Sequence, residues 1–169
     1  MNQAGTAVHF AVRRLAQKPI VHSDIDDTIG TNINGPSLIR APHWIDRPLG
    51  LFYLYFAHHR GEFIRLAYAA DLRGPWHIYR TGTLRLDQTV CRGHIASPDV
   101  HVDPERREIV MYFHGCIDEG QRTFLATSRD GLEFRASDQA WVRLTFGCSV
   151  TTAASTRLPR RTVRTAAAS

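Results

Sequence analysis

Apolar residues in this chain fall into short runs, not into the long 3.6-residue stripes that mark helices. In residues 34 to 79, "NGPSLIRAPHWIDRPLGLFYLYFAHHRGEFIRLAYAADLRGPWHIY", the branched and aromatic residues form four such runs. Ser37 to Ala41 leads through Pro42 and Pro48 to Leu51 to Ala57. A turn at Arg60 and Gly61 then leads to Phe63 to Ala69, and Gly74-Pro75 precedes Trp76 to Tyr79. Runs of this length, punctuated by Gly and Pro, predict an antiparallel meander.

Residues 97 to 134, "SPDVHVDPERREIVMYFHGCIDEGQRTFLATSRDGLEF", repeat the plan. Pro98 to Val102 precedes a turn at Asp103-Pro104, Glu108 to His114 ends at Gly115, and Thr123 to Ser128 ends at Asp130-Gly131, a hairpin signal. Tyr55-Phe56-Ala57-His58 matches Tyr112-Phe113-His114-Gly115 at a spacing of 57 residues. A four-strand unit recurring at that distance is the pattern of a β-propeller blade, so the expected fold class is all-β, with antiparallel four-stranded blades. The expected organisation is a lead-in over residues 1–31, a partial propeller over 32–140 with blades at about 32–85 and 94–140, and a basic tail over 141–169.

These segments resemble a known family. "SPDVHVDPERREIVMYFHG" is similar to the "APDVH...YYLYYS" blade of five-bladed glycoside hydrolases of the arabinanase, levansucrase and invertase superfamily, family 43 among them. "SRDGLEF" resembles the turn that closes many of their blades, and "NGPSLIRAP" their first strand, often "DPSLIR". The resemblance covers residues 32 to about 136. It implies O-glycosyl hydrolysis by separated carboxylates, one acting as base or nucleophile and one as proton donor. Propellers hold such groups at the start of the innermost strand of successive blades.

Asp99, beside Pro98, is the carboxylate that the resemblance makes the catalytic candidate. In the first blade Gly35 stands where "DPS" would put the base, with Asn34 beside it; an amide can hydrogen-bond a hydroxyl but cannot act as a carboxylate base. Asn34, His58, His59, His94, His101 and His114 are the candidate sugar-binding residues. Trp44, Trp76 and Phe113 fit a blade core better than a stacking platform. The histidines lack the spacing of a metal site, and neither metal nor cofactor is expected. Carbohydrate is the expected partner, with self-association through open sheet faces. The match ends before the blade that would bear the acid Glu, so the expected chain is an inactive fragment, or else a non-catalytic sugar-binding or vestigial module.

A second resemblance competes at "VHSDIDDTIG", residues 21 to 30, where Asp24, Asp26 and Thr28 follow the D-x-D-x-T pattern of haloacid-dehalogenase-type phosphatases. It implies Asp24 as nucleophile and Asp26 as acid/base. Such a loop should follow a strand and open alternating helices and parallel strands, with a later Lys or Arg for the phosphoryl group. Here the meander starts at once and Lys18 is the last lysine, so the loop reads as an acidic entry to the propeller.

Charge changes the picture little. The formal net charge of +5 comes from scattered arginines without the interleaved aromatics of a nucleic-acid surface, and no nucleic-acid partner is expected. No run is long enough to span a membrane. Cys91, Cys116 and Cys148 lack C-x-x-C spacing and read as free thiols, and with no apparent signal peptide the expected location is cytoplasmic. After Trp141 the Ala-, Thr-, Ser- and Arg-rich sequence reads as a disordered tail or as translation past a frameshift.

Overall fold

A computed structural model describes residues 11–14, 19–58 and 61–143, with side chains as far as Ala140. Apart from two single 3-10 turns, its regular structure is eight strands. The first sheet contains β1 (Ile33–Arg40), β2 (Phe52–His58), β3 (Phe63–Ala69) and β4 (His77–Arg85). The second contains β5 (Arg92–Asp103), β6 (Glu108–Ile117), β7 (Gly120–Ser128) and β8 (Arg135–Arg143). Each sheet is an antiparallel meander in chain order, which is the blade plan expected from the sequence.

The repeat extends to the register. Ser37 lies opposite Tyr55 and Asn34 opposite Ala57; in the second sheet Asp99 lies opposite Tyr112 and Ala96 opposite His114. Both innermost strands therefore carry the same bulge, Gly35-Pro36 in one and Ser97-Pro98 in the other. The first bulge residue is left-handed in each, at φ +58° for Gly35 and +53° for Ser97. These bulges explain where the expected boundaries miss. Ser37, directly after Pro36, and Pro98 read as strand starts, yet a proline at a bulge interrupts the ladder without ending the strand, so β1 begins at Ile33 and β5 at Arg92. β4 likewise continues to Arg85, and β8 adds a strand that no apolar run announces.

The core lies between the sheets. Tyr53, Tyr55, Ala57, Ile64, Leu66 and Leu84 of the first meet Ile95, Val100, Ile109, Met111, Phe113 and Phe124 of the second, all buried. Fully burying a large aliphatic or aromatic side chain stabilises by about 1.5–3 kcal/mol, so this interface is the main cohesive term. Polar bonds pin its register. The Tyr55 hydroxyl donates to the Gly131 carbonyl at 2.9 Å, Val100 N–H donates to Ser37 Oγ at 2.8 Å, and Phe134 N–H donates to the Thr83 carbonyl at 3.1 Å.

A smaller core closes the opposite face of the first sheet, where Leu54, Phe56, Ala67, Ala69 and Trp76 pack with Ile29, Val21 and Ile25 of the lead-in. The D-x-D-x-T loop is the fastening. Asp26 accepts from both the backbone and the hydroxyl of Thr28, Arg80 bridges Asp26 at 2.9 Å and Asp27 at 3.0 Å, and Arg65 donates to the Thr28 carbonyl. With no strand before this loop and no parallel pair among the described residues, the phosphatase arrangement is absent there. The corresponding face of the second sheet, including Val110, Leu125 and Thr127, is half-buried. Cys91 is a free buried thiol, but Cys116 is disulfide-bonded, which corrects the reading of all three cysteines as free.

Two carboxylates couple this architecture to pH. The hydroxyl and N–H of Thr28, helped by Arg80, hold Asp26 below the usual carboxylate range. Partial burial raises Asp130, but the N–H groups of Glu133 and Leu132 and the Ser128 hydroxyl outweigh it and leave its pKa lowered. Both contribute stability that is complete above the unfolded value of about 4 and is lost as pH falls through the folded values. The urea midpoint is therefore expected to drop between pH 5 and pH 3. Asp26→Asn with Asp130→Asn is expected to be less stable at pH 7 and to show a shallower drop; equal slopes for the two proteins would refute this linkage.

Candidate functional site

Innermost strands β1 and β5 run side by side, and the expected site residues are distributed along them. Ile33 lies opposite His58 and Asn34 opposite Ala57, which brings Asn34 and His58 to one end of the first sheet. His94 lies in a second bulge near the corresponding end of β5, its Nδ1 3.9 Å from Cys116 Sγ. The Asn34 amide oxygen is buried and has no hydrogen-bond partner, a group whose desolvation is uncompensated in the protein alone.

Asp99 and His101 form a different group. They are two residues apart, so their side chains share one face of β5, and Asp99 Oδ1 lies 3.1 Å from His101 Nε2. Both are exposed, and the His101 ring meets the Tyr112 ring edge-on at 6.1 Å. His114 sits half-buried opposite Ala96, where desolvation pushes its imidazole pKa down. His59 lies outside the described residues. The six described candidates thus occupy three places: Asn34, His58 and His94 at the ends of the sheets where β1 and β5 begin, Asp99 with His101 toward the far end of β5, and His114 on β6.

What this arrangement can do is bounded by its carboxylates. β1 contains none, and β5 contains Asp99 and Asp103. Asp103 accepts the N–H groups of Glu105 and Arg106 at 3.1 and 3.0 Å, so it is engaged in its turn. Position 35 excludes a carboxylate on steric grounds, because a Cβ there would lie 2.8 Å from the Ser97 Cα and its φ is left-handed. Among the described innermost-strand residues, the opposed pair that glycoside hydrolysis requires is not assembled. Hydrogen-bonding groups for hydroxyls are present in number.

Arg40 and His43 were missed in the sequence. They line a cleft of about 940 Å³ at the far ends of β1 and β5, together with Ile39, Ile45, Val100 and His101. The available signal was an arginine directly after the apolar pair Leu38-Ile39, followed by a loop that contains Pro42 and Pro48. Among the described residues no group of three or more His, Cys, Asp or Glu side chains is arranged to hold a metal ion.

No protein-family model matches the chain. It is 34% identical over 123 residues to the uncharacterized protein R118 of Acanthamoeba polyphaga mimivirus, a match covering 61% of this chain and 35% of that protein. Among solved structures it is similar to CoXyl43, a GH43 β-xylosidase/α-arabinofuranosidase from a compost microbial metagenome. The TM-score is 0.55 at 14% identity, over 76% of this chain and 39% of that one. A GH43_1 enzyme from Xanthomonas citri gives a TM-score of 0.52 at 15% identity, over 64% and 33%. The matches span between 33% and 39% of each of these proteins, and the fold of the chain is GH43-like.

The bulge at positions 35 and 97 offers a direct check on this geometry. Gly35→Ala forces a side chain into a left-handed conformation, at about 1–2 kcal/mol, and into the Ser97 backbone. Ser97→Gly relieves the same conformation and should gain roughly 1 kcal/mol. At about 2–4 °C per kcal/mol for a chain of this size, the two variants are expected to melt below and above the parent, respectively. Calorimetry showing both shifts in one direction would be incompatible with the paired bulges.

Proposed function

We propose that this chain is a carbohydrate-binding unit of glycosidase-like fold that does not by itself turn over glycosides. One observation carries the reading: Asp99, held by His101, is the exposed carboxylate of the innermost strands, while position 35 has no room for a second. A proton donor and a base each contribute roughly 10² to 10⁴ in rate, and both must flank one bond. A single exposed carboxylate can still accept a hydrogen bond from a sugar hydroxyl. The structural neighbour CoXyl43 was captured with xylotriose, which makes xylan-type oligomers natural first ligands.

The test is an assay of the purified chain on aryl glycosides and on arabinan, xylan, mannan and fructan oligomers, with binding measured in parallel. Weak binding without turnover is expected, and Asp99→Asn should weaken that binding. Turnover that disappears in Asp99→Asn would overturn the non-catalytic reading and make Asp99 catalytic. Failure of every oligomer to bind at millimolar concentration would end the carbohydrate reading.

A further inference from the structure

The cleft that Arg40 and His43 line lies at the ends of β1 and β5 away from Asn34 and His94. Its volume, about 940 Å³, is at the upper end of the range for small-molecule sites. One wall is apolar, formed by Ile39, Ile45, Leu51 and Val100; the polar groups are Arg40, His43 and His101, and no carboxylate lines it. Electrostatics single out one of these. Asp99 engages His101 at 3.1 Å from outside the lining, and the nearby Arg47 faces Asp46 at 3.5 Å. The guanidinium of Arg40 has neither an ion pair nor a hydrogen bond among the described residues. It is exposed at the mouth of a partly apolar cleft, where an anion can approach a planar, two-pronged donor.

We propose that this cleft binds a uronate, a ring sugar bearing a carboxylate. Arg40 takes the carboxylate, the imidazoles of His43 and His101 meet ring hydroxyls, and the aliphatic wall covers the C–H face of the ring. The inference rests on the carbohydrate reading for the ring and on Arg40 for the charge, and the two parts are separable. An anionic head selected by one arginine also implies a salt-dependent affinity, since the site is open to solvent and its charge is screened.

The experiment is titration of the full chain with galacturonate, glucuronate, galactose, benzoate and inorganic phosphate, followed by calorimetry and by the fluorescence of Trp44, next to His43 in the cleft-lining loop. Uronates are expected to bind at least tenfold more tightly than galactose, and that advantage should shrink at 0.5 M NaCl. Arg40→Gln, at an exposed position, should remove the difference while leaving the circular dichroism spectrum unchanged. Arg47→Gln, on the adjoining loop, should preserve it. Equal binding of galactose and the uronates would leave the carbohydrate reading standing and overturn the anion site. Benzoate or phosphate binding as tightly as the uronates would show an anion site with no sugar preference and overturn the uronate assignment. Uronate binding that survives Arg40→Gln, or no uronate binding at all, would overturn the proposal outright.

Discussion

Everything in this structure depends on how closely β1 approaches β5. The approach is set at one contact, where the backbone of Gly35 meets that of Ser97 with no space for a Cβ between them. Because the strands touch there, Ser37 reaches the Val100 N–H, and Tyr53 and Tyr55 become fully buried against the second sheet. A side chain at position 35 would separate the strands by tenths of an ångström or more, and a close-packed interface has little means of absorbing that. The left-handed bulge is thus the geometric condition for the core, not a local irregularity of one strand.

The two outer faces of the sheet pair meet different conditions. The lead-in closes the first sheet with Ile29, Val21 and Ile25, and its acidic loop is held by Arg80 and Arg65 instead of presenting carboxylates to a substrate. The Arg65 guanidinium also stacks over the Phe63 ring at 4.0 Å, so its burial is shared between a cation–π contact and a backbone carbonyl. The equivalent face of the second sheet carries Val110, Leu125 and Thr127, a mixed surface that is half-buried. The sheets repeat in register, but what lies against each is set by its own side chains.

Much of the fold was legible because runs of branched and aromatic residues broken by Gly and Pro specify a meander with little ambiguity. The Tyr55 and Tyr112 repeat even placed equivalent residues correctly, since both lie opposite the residue that follows the bulge proline. Strand starts were less legible. Proline marks both a turn and a bulge, and only the register distinguishes them. β8 was not legible as a strand because Arg135–Gln139 is small, polar or charged, and apolar residues gather only at its end, Ala140-Trp141-Val142. For the site, residue types were readable but not their grouping: nothing in the spacing of Asp99 and His101 separates them from Asn34 and His94. The lack of a counter-charge at Arg40 was not legible, because it is a property of three-dimensional surroundings.

The same contact that closes the fold also limits its chemistry. A carboxylate at the start of the innermost strand needs a Cβ, and the close approach at Gly35 forbids one. Placing a carboxylate there would require the two sheets to move apart, weakening the interface that buries Tyr55 and Phe113. Close packing and a carboxylate side chain therefore oppose each other at this position, and glycine favours the packing. Binding faces no such conflict, because hydrogen bonds to hydroxyls and an ion pair to a carboxylate can be made by side chains that project away from the contact. Arg40 is one of these, five residues beyond the bulge at the end of the same strand.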